Sequence, residues 1–506
     1  GALVAVLAVL AVLVPVLPPR GAALPAATAD SREARSEVRF REARQFALRQ
    51  LARTDRRLRD GRFPTVAPGQ RWHTSGTNGW LAGFFPGQLW MAYELTGQRP
   101  WARRADARQA PLVVRADDTS THDLGFLLQT SFGRQAALTG RDRPRAMMLR
   151  AAAALASRWV PQVGATRSWD GPDGQVTVIV DNLVNLELLF AASRSGGRPE
   201  WHEMAVQHAL TTAAHHLRPD GSTTHVVRFD ETTGEPVWKG TVQGLHDGST
   251  WARGQSWAIH GFTTAYRESG DPRLLDAARR TADFALAHLP RDGVPYWDYD
   301  APSVGDRARD TTAAAALASG LLELARLDPD PARRAAYAAQ GLRTLRSLAG
   351  PRYLARGTRS PAVLRHGHHS PTYPDSGVTY GDHYLLEALL RAQLLPSSRP
   401  ALPARVSRPG AVRVRADLRS VRRVSGVSLR WRPATNGTDA AGPAVRFLVE
   451  TSRDGDSWVR ARGGLSSGRV ASFETYDVAD RRARYVRVTA LGQDTSRAIR
   501  ALKVRG

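Results

Sequence analysis

The sequence predicts a mainly α protein with a smaller C-terminal β domain, and three observations carry that prediction. From Ser31 to about Leu395, apolar residues recur at helical spacing in some twelve amphipathic segments of roughly 14 to 22 residues. Loops rich in Gly, Pro and Asp separate them. Beyond Leu395 the grain changes to a Pro/Ser/Arg stretch and then to short runs of alternating polarity that read as strands.

Taken in order, Gly1 to Pro19 is an uncharged Ala/Val/Leu run, and Ala27-Thr28-Ala29 has the small-x-small pattern of a signal-peptidase site. Residues 1–29 are therefore expected to be a secretory signal whose basic start is missing, which places the protein outside the cell. A spanning helix is the alternative reading, weakened by Pro15 and by the borderline length of the run; no other stretch is apolar enough to cross, so no stable membrane anchor is expected. Residues 30–396 hold the helices, which begin near Ser31, Trp80, Trp101, His122, Pro144, Asp181, Trp201, Trp251, Asp271, Asp310, Asp330 and Tyr380. The segments Thr166 to Val180, Ser222 to Leu245 and Val294 to Arg309, dense in Asp, His, Trp and Gly, read as pocket-lining loops at one end of the bundle. Residues 397–410 read as a linker, and 411–506 as a β domain with strands around Val412–Arg415, Val427–Trp431, Phe447–Glu450 and Tyr485–Val488.

Composition removes several function classes. A chain of 506 residues is long enough for a large core and an accessory module. With no cysteine there is no thiol nucleophile, no thiolate metal site and no disulfide. The formal charge of +24 comes almost wholly from arginine, Lys239 and Lys503 being the only lysines. The arginines are spread along the chain with no single clustered stripe, so nucleic acid is not the expected partner, whereas an anionic sugar would be drawn in. His366-Gly367-His368-His369 has no carboxylate at a compact ligand spacing, so neither a metal nor another cofactor is expected. No phosphate-cradling Gly loop and no Gly-x-Ser-x-Gly elbow occurs.

Two aspartates, Asp123 and Asp181, each stand immediately before a long apolar-periodic stretch. Two carboxylates so placed can share a pocket, and each would raise the other's proton affinity toward a working acid/base. The competing reading is that each is only a helix cap. Further on, Trp251-Ala252-Arg253-Gly254-Gln255-Ser256-Trp257 and Gln243 concentrate indole, guanidinium and amide groups. Indole stacks on pyranose C–H faces and a guanidinium fork grips a carboxylate, so this composition suits an acidic sugar. The competing reading here is a buried Trp pair.

His122-Asp123-Leu124-Gly125-Phe126, Asp181-Asn182 with Asn185 and Glu187, Trp251 to Trp257, Tyr296-Trp297-Asp298 and Asp310 together resemble, in order and spacing, the unsaturated glucuronyl hydrolases of glycoside hydrolase family 88 over about residues 35 to 396. That resemblance implies an (α/α)6 toroid, which twelve helices permit. It also implies a substrate, the acidic oligosaccharide left by a polysaccharide lyase, whose terminal uronic ring carries a C4=C5 double bond. By the same resemblance Asp181 is the proton donor and then the base for water, and Asp123 stands beside it. His225, Gln243, Trp251, Arg253 and Trp257 bind the sugar, His122 orients Asp123, and Trp80 and Trp169 are further stacking candidates. Where the family is expected to have tryptophan after Phe84 this chain has Phe85, a smaller stacking face. Ser452 to Trp458 with Ala483 to Val488 resembles the discoidin-like (factor V/VIII type C) β-sandwich, which leaves both a carbohydrate-binding and a purely structural module open. The function expected is a secreted hydrolase of unsaturated uronyl oligosaccharides. The related unsaturated rhamnogalacturonyl hydrolase and a catalytically inactive sugar-binding protein are the alternatives.

Overall fold

The computed structural model describes residues 24–302, 308–395, 401–410, 412–431, 446–465, 474–491 and 499–506. The apolar run Gly1–Pro19 and the stretch Pro396–Pro400 lie outside them. Among the described residues no helix is long and apolar enough to cross a membrane.

The helices are α1 (Leu24–Arg57), α2 (Phe84–Thr96), α3 (Arg99–Gln109), α4 (Arg134–Thr139), α5 (Asp142–Ala156), α6 (Asn182–Asn185), α7 (Glu187–Arg194), α8 (Glu200–His215), α9 (Ala252–Ser269), α10 (Pro272–His288), α11 (Thr311–Leu327), α12 (Pro331–Leu348) and α13 (Thr379–Ala392). Most of the expected starts lie within a few residues of a helix, Ser31 falls inside α1, and α4 and α7 have no expected start of their own. Three starts are set by genuine caps. Asp271, Asp310 and Asp330 each accept a backbone N–H from two residues on. The segment opened by His122 is a π-helix over Gly125–Gly133 instead of an α-helix, and near its start Phe126 N–H, which has no partner within the helix, donates to Asn185 Oδ1 at 2.8 Å.

Helices alternate between two roles. α2, α9, α11 and α13 are buried almost all round, whereas α3, α5, α10 and α12 bury one stripe. Among the buried elements α2 meets the π-helix, which meets α7; α6 meets α9, α9 meets α11, α11 meets α13, and α13 returns to α2. Small residues permit the approach: a Cβ on Gly261 of α9 would lie 2.4 Å from that of Leu183 in α6.

Two of the expected loops are mostly strand. Trp169–Asp170, Gln175–Ile179, Val226–Asp230 and Pro236–Gly240 form a four-stranded antiparallel sheet, with Val176, Val178, Val227 and Phe229 turned into a small core of their own. Its register places Ile179 opposite Val226, so the residues just past those ends, Asp181 and His225, become neighbours.

In the C-terminal region Arg413–Trp431 and Glu474–Leu491 pair antiparallel, within one seven-stranded sheet. Residues 401–410, expected as linker, are largely strand: Ala401–Leu402 is an edge strand of that sheet and Arg405–Gly410 lies off its path, paired with the start of Arg413–Trp431, where an edge tolerates Pro409 because nothing there requires its N–H. The sheet is docked, not merely tethered. Arg462, 1% exposed, donates to Gln393 Oε1 at 2.6 Å beyond α13, and Arg460 donates to the Tyr93 hydroxyl of α2 at 2.7 Å.

Candidate active site

The first residues of the buried helices and the loops above them gather the groups the sequence singled out. Asp181 precedes α6, yet its carboxylate caps nothing. It is buried, and its Oδ2 has no hydrogen-bond partner within the protein. Burial pushes its pKa up to about 7; Arg253 opposes that push and Asp123 adds to it. The neighbouring aspartate expected from the sequence thus contributes, but desolvation is the larger cause.

His225 faces it, with Nε2 3.6 Å from Asp181 Oδ2. The backbone N–H of Val242 donates to His225 Nδ1 at 3.4 Å, so in the neutral ring the proton sits on Nε2, toward the carboxylate. Neutral it is, since burial, with Arg253 nearby, pulls its pKa down to about 3. Its ring lies 4.4 Å from that of Trp251. His122 donates through Nδ1 to the Ser168 carbonyl at 3.1 Å, and its Nε2 lies 3.4 Å from Asp123 Oδ1.

Asn185 does a job the sequence reading left unassigned. Besides accepting from Phe126 N–H it places Nδ2 3.5 Å from the Asp181 carbonyl, and a Cβ on Gly125 would lie 2.5 Å from its Cα. It therefore clamps the turn bearing Asp181 to the segment bearing Asp123. Only its place beside Asp181-Asn182 in the sequence hinted at this.

Arg253 has a different part from the one expected. It is 1% exposed, and both fork nitrogens are spent within the protein: Nη1 on Asp310 Oδ2 at 3.2 Å and on the His368 carbonyl, Nη2 on Gln243 Oε1 at 2.7 Å and the His369 carbonyl at 3.1 Å. Its guanidinium lies 4.4 Å from the Trp251 ring centre. A fork so occupied holds the loop carrying His368 and His369 and fixes Gln243 with its amide N–H2 pointing elsewhere. Trp251 and Trp257 are likewise buried, at 2% and 0% exposure, so neither offers an open ring face; Trp257 turns its buried Nε1–H toward the Asp181 carboxyl, whose pKa it helps to keep from rising further, without completing a hydrogen bond. Phe85 also lies in the core and is no stacking face. Open ring surface comes instead from Trp80, half-buried and stacked on Tyr380, and from Trp169, exposed at the rim beside His122. The three histidines of residues 366–369 are otherwise engaged: His366 with Asp375, His368 stacked on Trp297, His369 on the Tyr380 hydroxyl.

Three buried polar atoms, Asp181 Oδ2, His225 Nε2 and Trp257 Nε1, are thus left to bind whatever reaches them. A raised pKa alone would not have singled out Asp181. Burial also pushes Asp382 up to about 7, but its two oxygens accept the N–H groups of Val363 and Leu364.

At the other ends of α2, α9, α11 and α13 lies a cavity of about 600 Å³ with the opposite character. Arg267 bridges Glu187, Glu268 and Glu323 at 3.0, 2.9 and 3.2 Å, and Arg134 bridges Glu94 and Glu387 at 2.7 and 3.6 Å. Burial raises Glu323, but Arg326, Arg391 and Arg267 together bring it below the ordinary carboxylate range. This end is an ion-pair lattice in which the buried carboxylates Glu323 and Glu387 are held by arginines.

No protein-family model matches the chain. It is 39% identical to an unsaturated glucuronyl hydrolase of Formosa agariphila over 334 residues, 64% of this chain and 82% of that one. A crystal structure of an unsaturated glucuronyl hydrolase specific for heparin superposes with a TM-score of 0.67 at 35% identity, covering 70% of this chain and 97% of that one. A variant of the Streptococcus agalactiae enzyme complexed with dGlcA-GalNAc6S gives 0.60 at 30% identity, over 70% and 90%.

Proposed function

Because the chain belongs to the unsaturated glucuronyl hydrolase family, we propose that Asp181 performs its reaction, the hydrolysis of unsaturated uronyl saccharides, by protonating an alkene. The substrate's C4=C5 bond is part of an enol ether. A proton delivered to C4 builds positive charge at C5 and on the ring oxygen, water adds at C5, and the resulting hemiketal opens and expels the neighbouring sugar. The anomeric carbon is never displaced, so carboxylate separation does not set the outcome as it does for ordinary glycosidases.

The observation that carries this reading is the unpartnered, buried oxygen of Asp181 on a carboxyl that holds its proton to about pH 7. Such a group gives a proton to C4 and, as carboxylate, takes one back from the attacking water. The Nε2–H of His225 and the Nε1–H of Trp257 supply neutral donors beside it. Asp123, oriented by His122, favours cationic charge as it develops at C5. Gln243, fixed by Arg253, presents its amide to the ring, and Trp80 and Trp169 flank the sugars.

The circuit of buried helices supports an (α/α)6 toroid, with these groups at one mouth. A discoidin-like origin for the C-terminal sheet and export through Gly1–Pro19 complete the reading. Of the two lyase-product classes, glycosaminoglycan fragments are favoured over pectin fragments, because the similar proteins are named for the former. The test is a panel of lyase-generated disaccharides followed by ultraviolet absorbance: loss of the double-bond signal with at least one, and no action on the saturated counterpart, is expected. Comparable release from saturated glucuronides would refute alkene protonation.

A further inference from the structure

Residues 401–506 carry 22 Lys and Arg against 9 Asp and Glu, so about a fifth of the chain holds +13 of the formal +24. Part of that charge is arranged in an uncomfortable way. On the sheet face opposite the buried Val414, Val486 and Val488, Arg415 stands directly across from Arg487, and Glu450 is opposite Arg487 on the next strand. Like charges paired across strands destabilise a sheet. Glu450 neutralises only one of them, meeting Arg487 Nε at 2.8 Å; Arg415 has no ion pair among the described residues.

Aromatic rings hold the two arginines in place. The Arg487 guanidinium lies 4.1 Å from the centre of the Trp458 ring, and that of Arg415 lies 4.3 Å from Tyr485 and 5.5 Å from Trp458. Stacking occupies the flat face of a guanidinium and leaves the N–H edge, the edge that grips a carboxylate or sulfate by two parallel hydrogen bonds; on Arg487 Glu450 already takes Nε, so the fuller edge is that of Arg415. Arg413, exposed and two residues along the same face, lengthens the row.

We propose that this Arg413, Arg415, Arg487, Trp458 and Tyr485 face docks an anionic polysaccharide, keeping the enzyme on the polymer whose fragments it hydrolyses. The inference rests on the proposed substrate class. Charge complementarity selects the occupant: a chain with regularly spaced carboxylates or sulfates supplies the counter-charges that Arg415 and Arg413 lack, at many equivalent positions.

The test uses the full chain and immobilised chondroitin sulfate at about 0.15 M salt. Arg415→Gln with Arg487→Gln should weaken retention on the order of tenfold, and Arg413→Gln should do so by less. Arg422→Gln, the same single charge loss as Arg413→Gln at an exposed position on the same strand, should leave it unchanged. Circular dichroism confirms folding, and Arg415→Lys, which keeps the charge and loses the stacked fork, should be intermediate. Equal loss from Arg422→Gln would reduce the face to diffuse charge and overturn the proposal, as would equally strong retention on neutral dextran or tighter binding to duplex DNA. Turnover of a soluble unsaturated disaccharide is read separately. Retained but inactive protein would refute the reaction and leave the docking face standing; active but unretained protein would do the reverse.

Discussion

At the start of the buried helices Asp181 sits out of water with a free oxygen and a pKa raised to about 7; at their far ends Glu323 and Glu387 sit equally deep and are held below the ordinary range. Depth is the same and partners differ. At the far end burial is more than offset by arginines that also spend every carboxylate oxygen on structure. At the near end the one strong cation, Arg253, is committed to Asp310, Gln243 and two carbonyls, and only its charge reaches Asp181. Chemistry is available where a buried acid has been left incompletely satisfied, and rigidity where it has not.

The largest expected effect comes from Asp181→Asn, which keeps shape and removes the transferable proton. Turnover should fall on the order of 10² to 10⁴-fold. The same change should raise stability at pH 8, by calorimetry. A folded-state pKa above the unfolded value means that stability drains away as pH rises from about 4 to about 7, and asparagine abolishes that loss. At pH 4 the two proteins should melt alike.

Glu323→Gln tests the far end and should do the reverse. Its folded pKa lies below the unfolded 4.5, so its contribution is present above that pH and disappears as pH falls through the folded value. Near neutrality the substitution leaves arginines uncompensated and should cost about 3–5 kcal/mol in denaturant unfolding, while turnover of the folded fraction stays near normal. A neutral effect would mean that the lattice is dispensable.

Arg253→Lys should act between the two. Lysine keeps the charge beside Asp181 and drops the fork that ties down Gln243 and the His368–His369 loop, so KM should rise about tenfold with a smaller change in kcat. Loss confined to kcat would return Arg253 to direct contact with the reacting ring.

The smallest effect concerns the docked sheet. Arg462→Met removes the buried hydrogen bond to Gln393 and should lower stability by about 1–3 kcal/mol without altering disaccharide turnover.

Much of this was legible in the sequence. Helical periodicity located most of the helix starts, and Asp271, Asp310 and Asp330 cap as their type and position indicate. What the one-dimensional pattern could not separate was Asp310 from Asp181. Both are aspartates before an apolar run, and only tertiary partners make the first a cap and leave the second free. For the same reason Trp251, Trp257 and Arg253 were readable as sugar-binding residue types, while their burial was not readable at all. The alternation in Gln175–Ile179 and Val226–Asp230 was there to be seen, but the surrounding Asp, Gly and Trp drew the reading toward loop. The bond that caps the π-helix left no signal, because Asn185 lies 59 positions from Phe126.

The central claim, that burial rather than a shared charge keeps Asp181 protonated for catalysis, is tested most directly by the pH dependence of kcat/KM on an unsaturated disaccharide, for the native protein and for Asp123→Asn. The account predicts an alkaline limb with its midpoint at about pH 7, displaced only modestly to lower pH by Asp123→Asn. A rate that stays level through pH 7 to 9, or a midpoint that drops to the ordinary carboxylate range once Asp123 is neutral, would contradict it.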